Sequence, residues 1–273
     1  MFDLSNSSRH ASMVLLQVWI FKFRERFNMN DLKKLCVFLA LSFSFVTTFS
    51  YAAGSATSAE KQANMTPKQA LLKLKAGNQR FLSGKMQTQD YLAQAKQGAS
   101  GQYPWAVILN CMDSRSVPEF FFNQGLTDFF SLRVAGNVLN EDILGSIEFV
   151  TKAAGAPLIV VLGHTSCGAV TAACQDDKFG HVGSFTHKIK PVIPESKKQM
   201  GISNCSDPKL TNKIAENNAL NVARQLREKS PIINKLIATH KIGIVAGIHN
   251  VETGAVTFFE EGRLMPSDEA AAE

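Results

Sequence analysis

The chain has no basic stripe interleaved with aromatic residues, so nucleic-acid binding has no footprint in it. It also shows no internal repeat and no second hydrophobic core, which leaves one large domain as the economical reading of 273 residues. The apolar run Leu35–Phe49 (LCVFLALSFSFVTTF) has 15 residues, short of the roughly 20 that cross a bilayer. No cysteine follows that run in a position to carry a lipid anchor. Cysteine is scarce throughout, at five residues, so each thiol can be followed individually.

With 45% apolar and 19% charged residues, the chain can bury a real core. Its formal net charge of +6 comes from 29 basic and 23 acidic residues, of which six and three lie in residues 1–52. Without that segment, 23 basic and 20 acidic residues remain. The segment has the three regions of a cleavable signal: Lys33-Lys34, the apolar run, and the small residues Ser50 and Ala52 at a cleavage site. The other reading is an uncleaved anchor. Met29 stands just ahead of the basic pair, so residues 1–28 read as an upstream extension and Met29 as the start. The expectation is an exported, periplasmic protein with no membrane attachment after cleavage.

Residues 53–65 are small and polar and predict a flexible leader to a domain over 66–262, with an acidic tail at 263–273. Thr66-Pro67-Lys68-Gln69 has the spacing of a capping box with proline at the first helical position. Ala70, Leu71, Leu74 and Phe81 continue it at helical period, and a helix ahead of the first strand predicts an arm that packs on a neighbouring subunit. Strands and helices then alternate: strands at 105–110, 129–134 and 157–163, helices at 141–154 and 167–175. That alternation predicts an α/β fold with a central, mostly parallel sheet flanked by helices. Residues 176–207 look irregular, broken by Pro191, Pro194 and several glycines. A long helix at 208–229, a short one from Pro231, a strand at 241–249 and an edge hairpin through 255–259 complete the chain.

Chemistry concentrates where two apolar strands end. Cys111-Met112-Asp113-Ser114-Arg115 follows the first, and Gly163-His164-Thr165-Ser166-Cys167-Gly168 the third. Ligands in open α/β sheets gather beyond the carboxyl ends of strands. Cys111, His164 and Cys167 make a zinc set of three protein donors with one position open. Gly163 and Gly168 would ease close backbone approach. Asp113 can accept a hydrogen bond from water, held off the metal by a bidentate pair with Arg115, or it can be the fourth ligand and shut the site. The pair can also do no more than order the loop. Cys174 and Cys205 remain, either bridged or as two buried thiols.

Four stretches together resemble the β-class carbonic anhydrases: Cys-Met-Asp-Ser-Arg at 111–115, Arg-Val-Ala-Gly-Asn at 133–137, Ser-Ile-Glu-Phe at 146–149 and Gly-His-Thr-Ser-Cys-Gly at 163–168. The resemblance runs from about Thr66 to Phe259. It implies one zinc on Cys111, His164 and Cys167, and an Asp113–Arg115 dyad. The implied substrate-binding residues are Gln102, Phe130, Ala135, Phe149 and Gly168. Ile108 stands where members with an inhibitory bicarbonate site usually carry tryptophan, which implies the open, plant-like form. The chain departs from the family at Phe149, often tyrosine, and at His249-Asn250, often Tyr-Asp.

The implied reaction is reversible hydration of carbon dioxide to bicarbonate and a proton, by water activated on zinc with help from the dyad. The implied assembly is a homodimer or a dimer of dimers, with Gln102 and Phe149 serving sites built partly from the partner chain. Zinc hydrolysis of carbonyl sulfide or carbon disulfide on the same fold, and a non-catalytic zinc module closed by Asp113, are the alternatives. His181, His187, His240 and His249 are proton carriers by residue type alone, and nothing in the sequence selects among them.

Overall fold

The computed structural model describes residues 55–266. The upstream extension, the signal segment and most of the acidic tail lie outside them. The segment ahead of Thr66 is tied to the domain where the sequence suggests a flexible leader. A short helix, α1 (Ala59–Ala63), is capped by Ser58. Gln62 Nε2 donates to the carbonyls of Pro104 and Ala154, both at 2.7 Å, and Thr57 Oγ1 donates to Asp128 at 2.9 Å. Small polar residues gave no apolar signal here because polar side chains make the attachment.

Helix α2 (Pro67–Leu82) starts at the capping box read from the sequence, with both reciprocal bonds formed. Its stripe of Ala70, Leu71 and Leu74 is buried with Trp105, Ala106, Ile108 and Leu158 of the same chain. This apolar face covers its own sheet, and Leu72 and Leu82 of the same helix stay exposed. Close approach fixes it there. A Cβ on Gly77 would sit 1.8 Å from the carbonyl oxygen of Phe122. The buried Asn78 amide donates to the carbonyls of Phe121 and Gly254 and accepts from the Val256 N–H.

After α3 (Tyr91–Gly98) the sheet begins. It uses β1 (Ala106–Asn110), β2 (Phe129–Arg133), β3 (Leu158–His164), β4 (Gly243–His249) and β5 (Val256–Phe258), in spatial order β2-β1-β3-β4-β5. The first four are parallel and β5 runs antiparallel to β4. Both faces of the central strands are covered, which is why they read as unbroken apolar runs. Val107, Leu109, Ile159, Val161, Ile244 and Ala246 face one core, and Ala106, Ile108, Leu158, Val160 and Val245 face the other.

Helices join the strands: α4 (Pro118–Phe121), α5 (Glu141–Lys152) and α6 (Gly168–Gln175), then α7 (Gly183–Ile189) and α8 (Ile193–Met200). The stretch read as irregular is thus largely helical. Pro191 and Pro194 sit in the first turns of helical segments, where the missing N–H costs nothing, so they start helices here. The long α9 (Pro208–Lys229) and α10 (Pro231–Ala238) follow.

A disulfide joins Cys174 in α6 to Cys205 just ahead of α9, with Cα atoms 5.6 Å apart, which resolves the two readings of that pair in favour of the bridge. It closes a loop of 31 residues and staples the helix that Cys167 caps. Replacing both cysteines by serine is expected to lower unfolding free energy by about 3–4 kcal/mol, measured by urea denaturation of oxidised protein against the double variant.

Candidate metal centre

The parallel register places the chemistry at one end of the sheet. Asn110 aligns with Arg133 and Leu162, and His164 aligns with His249, so the last residues of β1 to β4 form one rim. Cys111 leaves β1 there, His164 ends β3, and Cys167 caps α6. Their donor atoms lie within 4.8 Å of one another, and all three residues are buried. The sulfur atoms of Cys111 and Cys167 are 4.0 Å apart, and both thiols are free.

The donor set fits zinc on its own chemistry. The ring of His164 is fully buried, and its Nδ1 lies 2.9 Å from the Thr165 carbonyl oxygen, so the proton belongs on Nδ1. The Nε2 lone pair then faces the cysteines, and that atom is buried with no hydrogen-bond partner. A buried, unpartnered nitrogen beside two thiols is costly unless a cation satisfies it. The Cys111 thiol is shifted down, first by the hydrogen bond from Cys167, against burial, with help from the backbone N–H of Gly136 at 3.3 Å. Cys167 is shifted up, first by its hydrogen bond to Cys111 and then by burial.

Gly136 reaches Cys111 through a left-handed turn, φ +66°, where a Cβ would lie 2.7 Å from Ile189 Cδ1. The buried Asn218 amide on α9 holds the same turn by donating to the Gly136 carbonyl at 2.8 Å. Gly163 is needed as the sequence suggests, since a Cβ would sit 2.8 Å from the Ala215 carbonyl oxygen. Gly168 is not: a Cβ there meets nothing within 4 Å in this chain.

Asp113 and Arg115 form the fork read from their spacing. Arg115 Nε donates to Oδ1 at 3.0 Å and Nη2 to Oδ2 at 2.8 Å, and the Arg115 backbone N–H adds a third bond at 2.9 Å. These bonds, chiefly the guanidinium's, hold the Asp113 carboxyl well below the usual carboxylate range against its partial burial. Its Oδ2 lies 3.9 Å from His164 Nε2, so the carboxylate borders the same point in space as the donor set.

Three supports were not assigned from sequence. Arg133 donates to the carbonyls of Cys111 and Asp113 at 3.1 and 2.6 Å, bracing the loop from β2. Asn110 at the end of β1 and His249 at the end of β4 brace it through Ser116. Only the inclusion of Arg133 and Gly136 in the 133–137 motif hinted at any of this.

The remaining substrate-pocket candidates scatter. Ala135 opens the short 3₁₀ turn next to Gly136 and so lies by the site. Gln102 is exposed ahead of β1, at the opposite end of that strand from Cys111. Phe130 on the edge strand β2 aligns with Val107 and packs on its own core, and Phe149 on α5 is 65% exposed. One chain gathers the metal donors, the dyad, Ala135 and Gly168, but not Gln102, Phe130 or Phe149.

A family model described as "Carbonic anhydrase" matches residues 106–256, which include every one of the donors and the dyad. The chain belongs to the carbonic anhydrase family. Among its curated relatives, "Carbonic anhydrase 2" of Mycobacterium tuberculosis is 36% identical over 197 residues, 70% of this chain and 92% of the relative. The carbonic anhydrase of Mycolicibacterium smegmatis is 32% identical over 199 residues, 71% and 93% of the two chains. Solved β-carbonic anhydrases share the fold. That of Aspergillus fumigatus superposes with a TM-score of 0.57 at 19% identity, covering 75% of this chain and 94% of its own. One of two tetrameric enzymes of Sordaria macrospora gives 0.55 at 20% identity, covering 61% and 89%. The fold is the β-class one, a five-stranded mixed sheet flanked by helices.

Proposed function

We propose that the protein hydrates carbon dioxide reversibly to bicarbonate and a proton, at a zinc site held by Cys111, His164 and Cys167. The observation that carries this reading is the clamped carboxylate. Asp113 borders a three-donor set while both its oxygens are engaged by Arg115. A purely structural zinc site would ask for a fourth protein donor. Here the fourth residue in reach is held in a charge-assisted fork, which supports an open position over a closed one.

When bound, zinc supplies a Lewis acid that makes water nucleophilic near neutral pH. The rest falls to the chain's own residues. Asp113, kept ionised by Arg115, accepts a hydrogen bond from the reacting water and orients its lone pair. Arg115 also donates to the Ser166 carbonyl at 3.3 Å, which links the dyad to the loop carrying Cys167. Beside Arg115 lies a cavity of about 370 Å³ lined by Ser114, Phe120, Phe121 and Thr253, room for a small substrate to approach.

The proposed assembly is a homodimer or a dimer of dimers. Gln102 and Phe149 are exposed in one chain, which leaves them free to serve a partner's site. Export to a periplasm through the segment before residue 53 remains part of the same proposal. Carbon dioxide is the proposed substrate. Steady-state comparison with carbonyl sulfide and carbon disulfide tests it: hydration of carbon dioxide should dominate by orders of magnitude, and preferential release of sulfide would reassign the substrate.

A further inference from the structure

His249 occupies the position where the sequence departs from its family. It is 2% exposed, ends β4 directly beside His164, and stacks on Phe121 with ring centroids 4.1 Å apart. Its Nδ1 lies 3.0 Å from the hydroxyl of Ser116, a residue with no exposed surface. Ser116 is also held by Asn110, whose Nδ2 donates to the Ser116 carbonyl at 2.8 Å and to its hydroxyl oxygen at 3.1 Å.

Ser116 Oγ has one proton and two lone pairs. It accepts from the Asn110 amide and either donates to Nδ1 of His249 at 3.0 Å, or accepts from that nitrogen and donates to Asn110 Oδ1 at 3.4 Å. The bond between Ser116 and His249 stands with either tautomer of the ring.

These bonds close a ring around the loop that carries the dyad. Ser116 donates its backbone N–H to the Asp113 carbonyl at 3.0 Å, and Arg133 donates to that same carbonyl from the other side. The loop therefore has anchors on β1, β2 and β4. Only the β4 anchor is a single hydrogen bond between two side chains.

We infer that His249 is a positioning residue: through its bond to Ser116 it fixes the turn that sets Asp113 and Arg115 against the metal donors. It acts in this role through Ser116, apart from its place in the lining of the cavity beside Arg115. The inference rests on the proposed hydration for its kinetic readout and on the metal site alone for its spectroscopic one.

The test uses the full chain in zinc-loaded and cobalt-substituted forms, with His249→Leu, His249→Asn, Ser116→Ala and the double variant His249→Leu/Ser116→Ala. Loss of the bond should lower kcat about tenfold with KM nearly unchanged, a modest share of what an ångström of misplacement can cost. Because one bond links the two residues, the double variant should lose no more than either single variant. His249→Asn keeps an acceptor near Nδ1 and should recover most of the loss. The cobalt ligand-field bands should shift alike in His249→Leu, Ser116→Ala and the double variant, whatever the enzyme turns over. If His249→Leu does not fold, Ser116→Ala removes only a hydroxyl and reads the same bond. Losses that multiply in the double variant would overturn the inference. So would wild-type kcat and cobalt bands in Ser116→Ala. A wild-type protein that hydrates no carbon dioxide, but whose variants share the band shift, would remove the proposed reaction and keep the positioning role.

Discussion

Replacing Cys111 by serine is expected to leave a folded protein that has lost its metal and at least about a thousandfold of its hydration rate. The size follows from what a zinc held there would supply: it would bring the ionisation of a water down into the neutral range, and that nucleophile would go with it. The two-donor remainder, His164 and Cys167, cannot hold the ion against a chelator. Loss of structure is not the cause, because serine conserves the shape and Cys111 sits at a strand end, braced by Arg133 through its backbone carbonyl. Metal analysis of the purified variant should find far less than the roughly one zinc per chain of the parent. Circular dichroism should match the parent. A variant with full zinc and full activity would remove Cys111 from the site.

Replacing Asp113 by asparagine carries the second large effect, a fall in kcat of about a hundredfold to ten-thousandfold with zinc retained. Asparagine keeps the size and one acceptor oxygen but loses the charge that Arg115 clamps. The direction of the carboxylate's shift sets the pH behaviour. Arg115 holds the folded-state pKa below the ordinary value of about 3.9, so Asp113 is ionised throughout the neutral range. Its pairing contributes stability fully above that ordinary value and loses it as pH falls below. Any rise of hydration with pH near neutrality must then come from a group other than Asp113. Removing the clamp by Arg115→Leu should raise the Asp113 pKa toward its ordinary value and free the carboxylate to reach the metal. That variant should bind zinc at least as tightly as the parent and turn over more slowly. A pH profile through neutrality that vanishes in Asp113→Asn, with kcat at high pH intact, would contradict this division of labour.

Sequence carried the metal donors because Cys111 and His164 sit at the ends of unbroken apolar strands and Cys167 lies three residues beyond the second. Covering on both faces makes β1 and β3 conspicuous, and the residues after them are forced to the ligand end of the sheet. The capping box at Thr66 was legible for a similar reason: local spacing alone specifies it. The supports were not legible. Ser116 and His249 are 133 residues apart, and Gly136 and Asn218 are 82 apart, so only the folded chain brings them together. Composition misled at residues 176–207, where prolines that open helices look like breakers. At α2, period gave the helix but not the surface it covers, and the stripe went to its own sheet. Gln102, Phe130 and Phe149 came from family likeness, which carries no statement about which subunit supplies them.

Stopped-flow hydration of carbon dioxide by protein beginning at residue 53, followed across pH with zinc quantified in the same samples, tests the central claim most directly. The account predicts hydration proportional to zinc content, rising with pH while Asp113 stays ionised, and abolished by chelation. Zinc-replete protein with no hydration at any pH would contradict it.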